Sequence, residues 1–234
     1  MSFQQTIGYL FSPSSMAAEE IVVIIKDAIG HLQLIGLTVQ AVICDQGSPN
    51  VKAVRNLGAS LDPLGGEESH CILVGVQRVP VIFDVPHLVK SIRNNLYKHD
   101  LQTQGKNVCW NHITKFYELD KLHPIRMAPK LTERHIHLPA FSKMRVSLAT
   151  QVFSHTVSAG ISAMVTLQRL PAEAKHTADF VAKVNRLFDV LNSRSVKDSN
   201  PWRRPLGAGN QEKENFLGEC INWVAGWQFR TYSP

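Results

Sequence analysis

Close cysteine pairs are missing from this sequence. Cys44, Cys71, Cys109 and Cys220 are the only four cysteines in 234 residues, and no two form a C-x-x-C spacing. That argues against a disulfide-stapled secreted scaffold and points to a reducing compartment. No apolar stretch approaches the roughly 18 uncharged residues of a membrane span. Met1 to Gln5 lacks the positive start and long apolar run of a secretory signal, so the expectation is a soluble, intracellular chain with no membrane partner. Histidines are plentiful, but only His135 and His137 lie close together, with no cysteine or second histidine pair at zinc-finger spacing. A structural zinc site is not expected, and no internal repeat is present.

The composition itself is that of an ordered globular protein, 44% hydrophobic and 19% charged. A chain of this length holds one large domain or two modest ones, and the texture favours two. The formal charge is +6 and the pI about 9.2, which suits an acidic partner such as nucleic acid or nucleotide. The basic residues are nonetheless dispersed, and a solvated surface accounts for them equally well.

Along the chain, Gln5 to Phe11 reads as a strand. Ser12 to Ser15 reads as a turn, and Met16 to Leu34 as an amphipathic helix ended by Gly36. Val39 to Cys44 is a continuous apolar run and a second strand, which makes a βαβ unit with a right-handed crossover. Val51 to Leu57 reads as a short helix, Asp62 to Ser69 as a loop, Cys71 to Phe83 as strand material, and His87 to Tyr97 as a basic amphipathic helix. Beyond about residue 98 helical periodicity dominates, in Val108 to Leu119, Ser142 to Met164, Thr177 to Leu191 and Glu212 to Trp227, with Ser195 to Asn210 as a loop. The expected fold is α/β followed by all-α, with domains at 1–97 and 98–234.

Two of the apolar strands end on aspartate, Asp45 in VQAVICDQGSPN and Asp84 in VPVIFDVPHLVK. Ligands of open α/β sheets gather outside the carboxyl ends of the strands, so paired carboxylates there are a seat for a hard divalent cation. The competing reading is local, because Asp45 precedes Gln-Gly-Ser-Pro-Asn and can simply open a turn by bonding nearby amides.

Four segments in order, CDQGSPN, FDVPHLVKSIRNNL, APKLTERHIHLPAFSKMRVSLATQVFSH and TADFVAKVNRLFDVLNSR, resemble the P element transposase family and its THAP-linked animal relatives. The resemblance covers nearly the whole chain. It implies a partial RNase H-like domain followed by a helical GTP-binding insertion, incomplete at its C-terminus. Asp45 then corresponds to the second of three acidic residues that bind Mg²⁺ or Mn²⁺ in strand cleavage and joining, and Asp84 is a candidate metal ligand beside it. The family's first aspartate and its last glutamate lie in regions not represented in this sequence. Asp84 and His87 match an aspartate-proline-histidine turn in modified form, since Val85 stands where the family usually has proline.

In the insertion the resemblance implies that Lys130 and Arg145 face the phosphates of GTP, that Val146 and Phe188 flank the guanine ring, and that Asp189 reads the base. A carboxylate accepts two hydrogens from the N1 and N2 edge of guanine, and adenine offers no such pair. Each residue also has a plain reading. Phe188 falls with Phe180, Val184, Leu187 and Leu191 at helical spacing as core, Val146 as core, Asp189 as a solvated helix residue and Lys130 as a surface lysine. No Gly-Lys-Ser/Thr phosphate loop is present, so GTP would be a bound cofactor and not a hydrolysed substrate. Lys90 and Arg93 share a helix face and are candidate DNA-phosphate contacts.

The resulting expectation is a transposase-derived, nuclear protein with DNA, GTP and a second copy of itself as candidate partners, one that does not cleave DNA as this chain alone. One alternative is a guanine-nucleotide-dependent interaction module without DNA activity. Another is a degenerate product whose truncated sheet leaves apolar surface uncovered.

Overall fold

The computed structural model describes residues 4–12, 15–62, 65–193, 195–207 and 209–231. Parts of the three loops expected at 12–15, 62–69 and 195–210 therefore lie outside the described residues. The chain divides into two compact units, Met1–Asp84 and Val85–Pro234.

The first unit contains α1 (Ala18–Leu34), β1 (Val42–Cys44), α2 (Ser48–Asn56), β2 (Cys71–Val74) and β3 (Gln77–Phe83). Glu19 and Glu20 lie in the first turn of α1, where they complement the helix dipole, and the Glu20 carboxylate accepts from the Ala17 amide at 3.0 Å. The sheet order is β1-β3-β2, with β1 parallel and β2 antiparallel to β3. Period-two alternation sends Val42, Cys44, Val79, Val81, Ile72 and Val74 to one face, where Ile29 of α1 and Val54 of α2 close the core. The β2–β3 hairpin turns through Gly75 at φ +60°, a left-handed conformation that a glycine adopts without strain. The opposite face exposes Ile43, Ile82 and Leu73, with Ile43 and Ile82 side by side in register.

The strand expected over Gln5–Phe11 does not form, since residues 4–12 carry neither helix nor strand. Alternating apolar residues favour a strand only where a neighbour takes up the backbone hydrogen bonds, and Ile7, Tyr9 and Phe11 remain exposed. Among the described residues the first unit is thus two helices on a mixed sheet, without the first strand of the expected βαβ unit.

The second unit begins with α3 (Val85–Lys98), one helix earlier than the texture of the sequence indicated. The physical reason is burial: Val89 and Leu96 on the apolar stripe of α3 belong to the core of this unit. It continues with β4 (His99–Thr103), β5 (Lys106–Val108), α4 (Trp110–Asp120), α5 (Glu133–Ile136), α6 (Ala140–Lys143), α7 (Val146–Val152), α8 (His155–Thr166), α9 (Ala174–Leu191), α10 (Gln211–Ala225) and β6 (Gln228–Thr231). The small antiparallel sheet, ordered β5-β4-β6, is an addition to the expected helical region. Its strands are short and mixed in polarity, which hides them from a periodicity reading.

The core centres on Phe116, Phe153, Ile161, Met164, Phe180 and Trp223. Phe180 contacts Phe153, Trp223 and Trp227 with ring centroids 5.4–6.1 Å apart, a range typical of tilted aromatic pairs. The single long helix expected over Ser142–Met164 is broken into α6, α7 and α8. Ser154 causes the last break: its backbone is extended and its hydroxyl accepts from the Val157 amide, so it caps α8.

Candidate functional site

In the first unit the geometry around Asp45 and Asp84 follows from the parallel pairing. Cys44 lies opposite Phe83, and the Asp84 amide donates to the Cys44 carbonyl at 2.8 Å, so the two aspartates leave neighbouring strand ends. Asp45 also opens a turn. Its Oδ1 accepts from the Gly47 amide at 2.8 Å and from Asn50 Nδ2 at 2.7 Å, and Pro49 then enters the first turn of α2. A Cβ at Gly47 would stand 2.9 Å from Asp45 Oδ1, which keeps this position free of a side chain. Asp45 thus stands at the sheet's rim and accepts within the turn that follows it.

The donor set falls short of a two-ion site. Among the described residues no group of three or more His, Cys, Asp or Glu side chains is placed to hold a metal. Two carboxylates, one of them already accepting two hydrogen bonds, do not furnish the several oxygen ligands that each hard divalent cation takes. His135 and His137 form no zinc pair either. His135 Nδ1 accepts from the Thr132 amide at 2.9 Å, which fixes the Nε2–H tautomer that donates to Gln151 Oε1 at 2.7 Å. His137 is exposed and faces Glu133.

In the second unit a cleft of about 850 Å³ opens between the Pro129–Lys130 loop, the α7–α8 junction, α9 and the segment 198–203. It falls within the size range of small-molecule sites, about 300–1,000 Å³. Lys130, Phe188 and Asp189 all line it. Phe188 divides itself between this wall and the core, being half-buried against the core residues. Arg145 and Val146 are not among the lining residues. They open α7, and it is the far end of that helix that supplies Thr150 and Gln151 to the cleft.

Lys130 is held at the rim by a loop organised around a buried acid. Asp120, fully buried at the end of α4, accepts from the Met127 amide at 2.6 Å, the Ala128 amide at 3.3 Å and Arg126 Nε at 3.1 Å. Arg126 spans the loop by donating to the Leu131 carbonyl at 2.7 Å and lies over the Tyr117 ring. Asp120 falls just beyond the helix expected over Val108 to Leu119, and nothing in that periodicity marks its role.

Asp189 is nearly buried, its side chain 10% exposed, and it is fully engaged. Oδ1 accepts from Arg203 Nε at 2.9 Å and Oδ2 from Asn200 Nδ2 at 3.2 Å. Both donors come from the segment read as a plain loop. The available signal was Asn200-Pro201, a turn-initiating dipeptide, and Asn200 Oδ1 does accept from the Trp202 amide at 3.0 Å. Trp202 is in turn held by the Arg186 guanidinium 4.7 Å above its ring and by the edge of Phe216.

One expected DNA contact is corrected. Arg93 is fully buried, where it donates through Nη2 to the Ser142 and Lys143 carbonyls at 3.3 and 3.0 Å and through Nε to Asn94. Burial lowers its pKa to about 10. Helical spacing put Arg93 on one face with Lys90, but α3 rests in the core on the side that carries Arg93. Lys90 remains partly exposed.

Comparison with known proteins bears on both units. The sequence profile described as "TNP-like, GTP-binding insertion domain" matches residues 86–205, and "TNP-like, RNase H N-terminal domain" matches residues 1–58. The Transposable element P transposase of Drosophila melanogaster is 29% identical over 183 residues, 75% of this chain and 24% of that protein. The DNA transposase THAP9 of Homo sapiens is 27% identical over 181 residues, 74% of this chain and 19% of that protein. The Drosophila P element transposase strand transfer complex superposes with a TM-score of 0.75 at 25% identity, covering 90% of this chain and 46% of that one. This chain thus spans about a quarter or less of the length of these two relatives. With half of its length matched by the insertion-domain profile and the RNase H profile ahead of it, the chain belongs to the P element type, TNP-like transposase family.

Proposed function

We propose that the helical unit binds a guanine nucleotide in the cleft lined by Lys130, Phe188 and Asp189, within a transposase-derived protein that works on DNA in the nucleus. The observation that carries this is the convergence in one cleft of a cation, an aromatic ring and a nearly buried carboxylate. Lys130 supplies charge for phosphate, Phe188 supplies a stacking face, and Asp189 supplies two acceptor oxygens for the N1–H and N2–H edge of guanine. Arg145 and Val146 reach the nucleotide in this reading only through a shift of the start of α7. The nucleotide is held and not hydrolysed. GTP should raise the unfolding midpoint of the protein while ATP leaves it unchanged, and Asp189→Ala should remove the effect. Saturation at a hundred times Kd corresponds to about 2.7 kcal/mol of stabilisation. Equal shifts with both nucleotides, or none with GTP, would sink the reading.

For the first unit, we infer a binding role without strand cleavage by this chain alone. The support is the donor set, in which no third acidic or histidine side chain joins Asp45 and Asp84 among the described residues. Any Mg²⁺ or Mn²⁺ that Asp45 and Asp84 hold in this chain would be a single, weakly ligated ion. DNA association would then rest on basic residues that reach solvent elsewhere in the chain, the partly exposed Lys90 of α3 in the second unit among them. Labelled donor DNA incubated with Mg²⁺ or Mn²⁺ should remain intact, and cleavage that disappears in Asp45→Ala would overturn this. The burial of Arg93 favours the second reading, a nucleotide-dependent interaction module without DNA work, because it removes one of the two expected phosphate contacts. Salt-sensitive DNA binding by the purified protein would decide against that module.

A further inference from the structure

We propose, resting on the guanine reading of the cleft, that Arg203 and Asn200 are specificity-determining residues that hold Asp189 with a two-donor edge equivalent to that of guanine, so that only a base with the same edge displaces them. Asp189 offers two oxygens, and each already accepts one N–H from the 198–203 segment, 2.9 Å from Arg203 Nε and 3.2 Å from Asn200 Nδ2. Guanine presents the same pattern, N1–H and N2–H side by side. Exchange leaves the carboxylate satisfied throughout, which matters because a nearly buried carboxylate without donors is costly. Adenine, with an acceptor at N1, cannot make the exchange and would leave Arg203 and Asn200 where they are.

The exposure of the two partners differs in the right sense. The Arg203 side chain is 52% exposed and Asp189 10%, so the arginine can swing into solvent while the carboxylate stays fixed on α9. The segment as a whole need not detach. Its C-terminal end is tied independently, by Arg186 over Trp202, by Ser193 Oγ donating to the Arg204 carbonyl at 3.0 Å and by the buried Lys213 donating to that same carbonyl. Arg203 also stands on the wall of the cleft.

Competition lowers apparent affinity by the fraction of molecules in which Asp189 is accessible. Calorimetric titration of the full chain with GTP, ITP and ATP, for the native protein, Arg203→Ala, Arg203→Lys and Asp189→Ala, tests the proposal. Arg203→Ala should bind GTP about five- to tenfold more tightly and associate faster, a modest range because the arginine is half exposed to solvent. ATP binding should be unchanged. Arg203→Lys keeps the charge but loses the planar donor and should fall between Arg203→Ala and the native protein. ITP, lacking the 2-amino group, should gain less from Arg203→Ala than GTP does. Weaker or unchanged GTP binding in Arg203→Ala, with native GTP preference that Asp189→Ala abolishes, would overturn the competition and leave the guanine reading standing. Absence of GTP preference in every variant would overturn both.

Discussion

A Cβ on Gly160 would stand 2.3 Å from Cζ and 2.6 Å from Cε2 of Phe116. Gly160 lies inside α8, and Phe116 on α4 is fully buried. The two helices meet so closely that only a hydrogen fits between them, and the ring has no room to retreat. Gly160→Ala should therefore destabilise the helical unit by about 1–3 kcal/mol despite the helix preference of alanine. Urea unfolding of the two proteins measures the difference. A neutral or stabilising result would mean the packing of α4 and α8 is looser than described.

Arg93 and Lys90 should separate cleanly on mutation. Arg93→Ala removes one donor each from the Ser142 and Lys143 carbonyls, which keep the Arg145 amide and Asn94 Nδ2 respectively, and it opens a cavity where a fully buried side chain stood, a loss of about 2–4 kcal/mol. Arg93→Lys should recover little, because one ammonium cannot reproduce the fork. Lys90→Ala should leave stability within about 0.5 kcal/mol but reduce the salt slope of DNA binding by about 0.9 if it touches one phosphate. Thermal melts and DNA titrations at several salt concentrations read the two effects.

Asp120→Asn should loosen the loop that displays Lys130. The neutral amide loses the ion pair with Arg126 and places a donor where the Met127 and Ala128 amides also donate. Nucleotide affinity should fall several-fold along with local protection from amide exchange at residues 126–131. Retained affinity would show that Lys130 needs no such support.

Cys109 and His112 give the stability a defined pH window. Both lean on the buried Thr177, whose Oγ1 accepts from the Cys109 amide at 3.2 Å and lies 2.8 Å from His112 Nδ1. Burial lowers the His112 pKa from its ordinary 6.5, so the unfolded chain binds the proton first and stability is lost as pH falls through that region. Burial and the neighbouring Asp100 raise Cys109 from 9.0 to about 12, so the unfolded thiol ionises first and stability is lost as pH rises from 9 towards 12. The helical unit should be most stable between pH 6.5 and 9. His112→Gln should flatten the acid limb, and Cys109→Ser the alkaline one.

Much of this architecture was legible because its signals are local. Continuous apolar runs located β1 and β3, and helical periodicity located α1, α4, α9 and α10 to within a turn or so. Asp45 could be placed at a strand end because an apolar run stops there at turn residues. The failures are equally physical. Gln5–Phe11 carries a strand pattern, but pattern does not supply a hydrogen-bonding neighbour. Arg93 looked like a surface cation because a sequence shows spacing along a helix and not which side rests on the core. Ser142–Met164 looked like one helix because Ser154 is a common residue whose capping role depends on its own extended backbone.

In the cleft, Lys130, Phe188 and Asp189 were accessible through resemblance, whereas Arg203 and Asn200 were not. Their importance comes from a meeting with Asp189 across a loop, and no periodicity encodes that. Asp120 escaped notice for the same reason, since its partners are backbone amides that any sequence would provide.

The interruption at Ser154 has a wider effect than ending one helix and starting another. Thr150 and Gln151 from the end of α7 and Ser154, His155 and Thr156 from the junction all line the cleft before Phe188, a polar cluster that one continuous helix would distribute around its circumference. The bend makes the hollow a property of the main chain, so replacing Gln151 or His155 changes what is welcomed there without erasing the room itself.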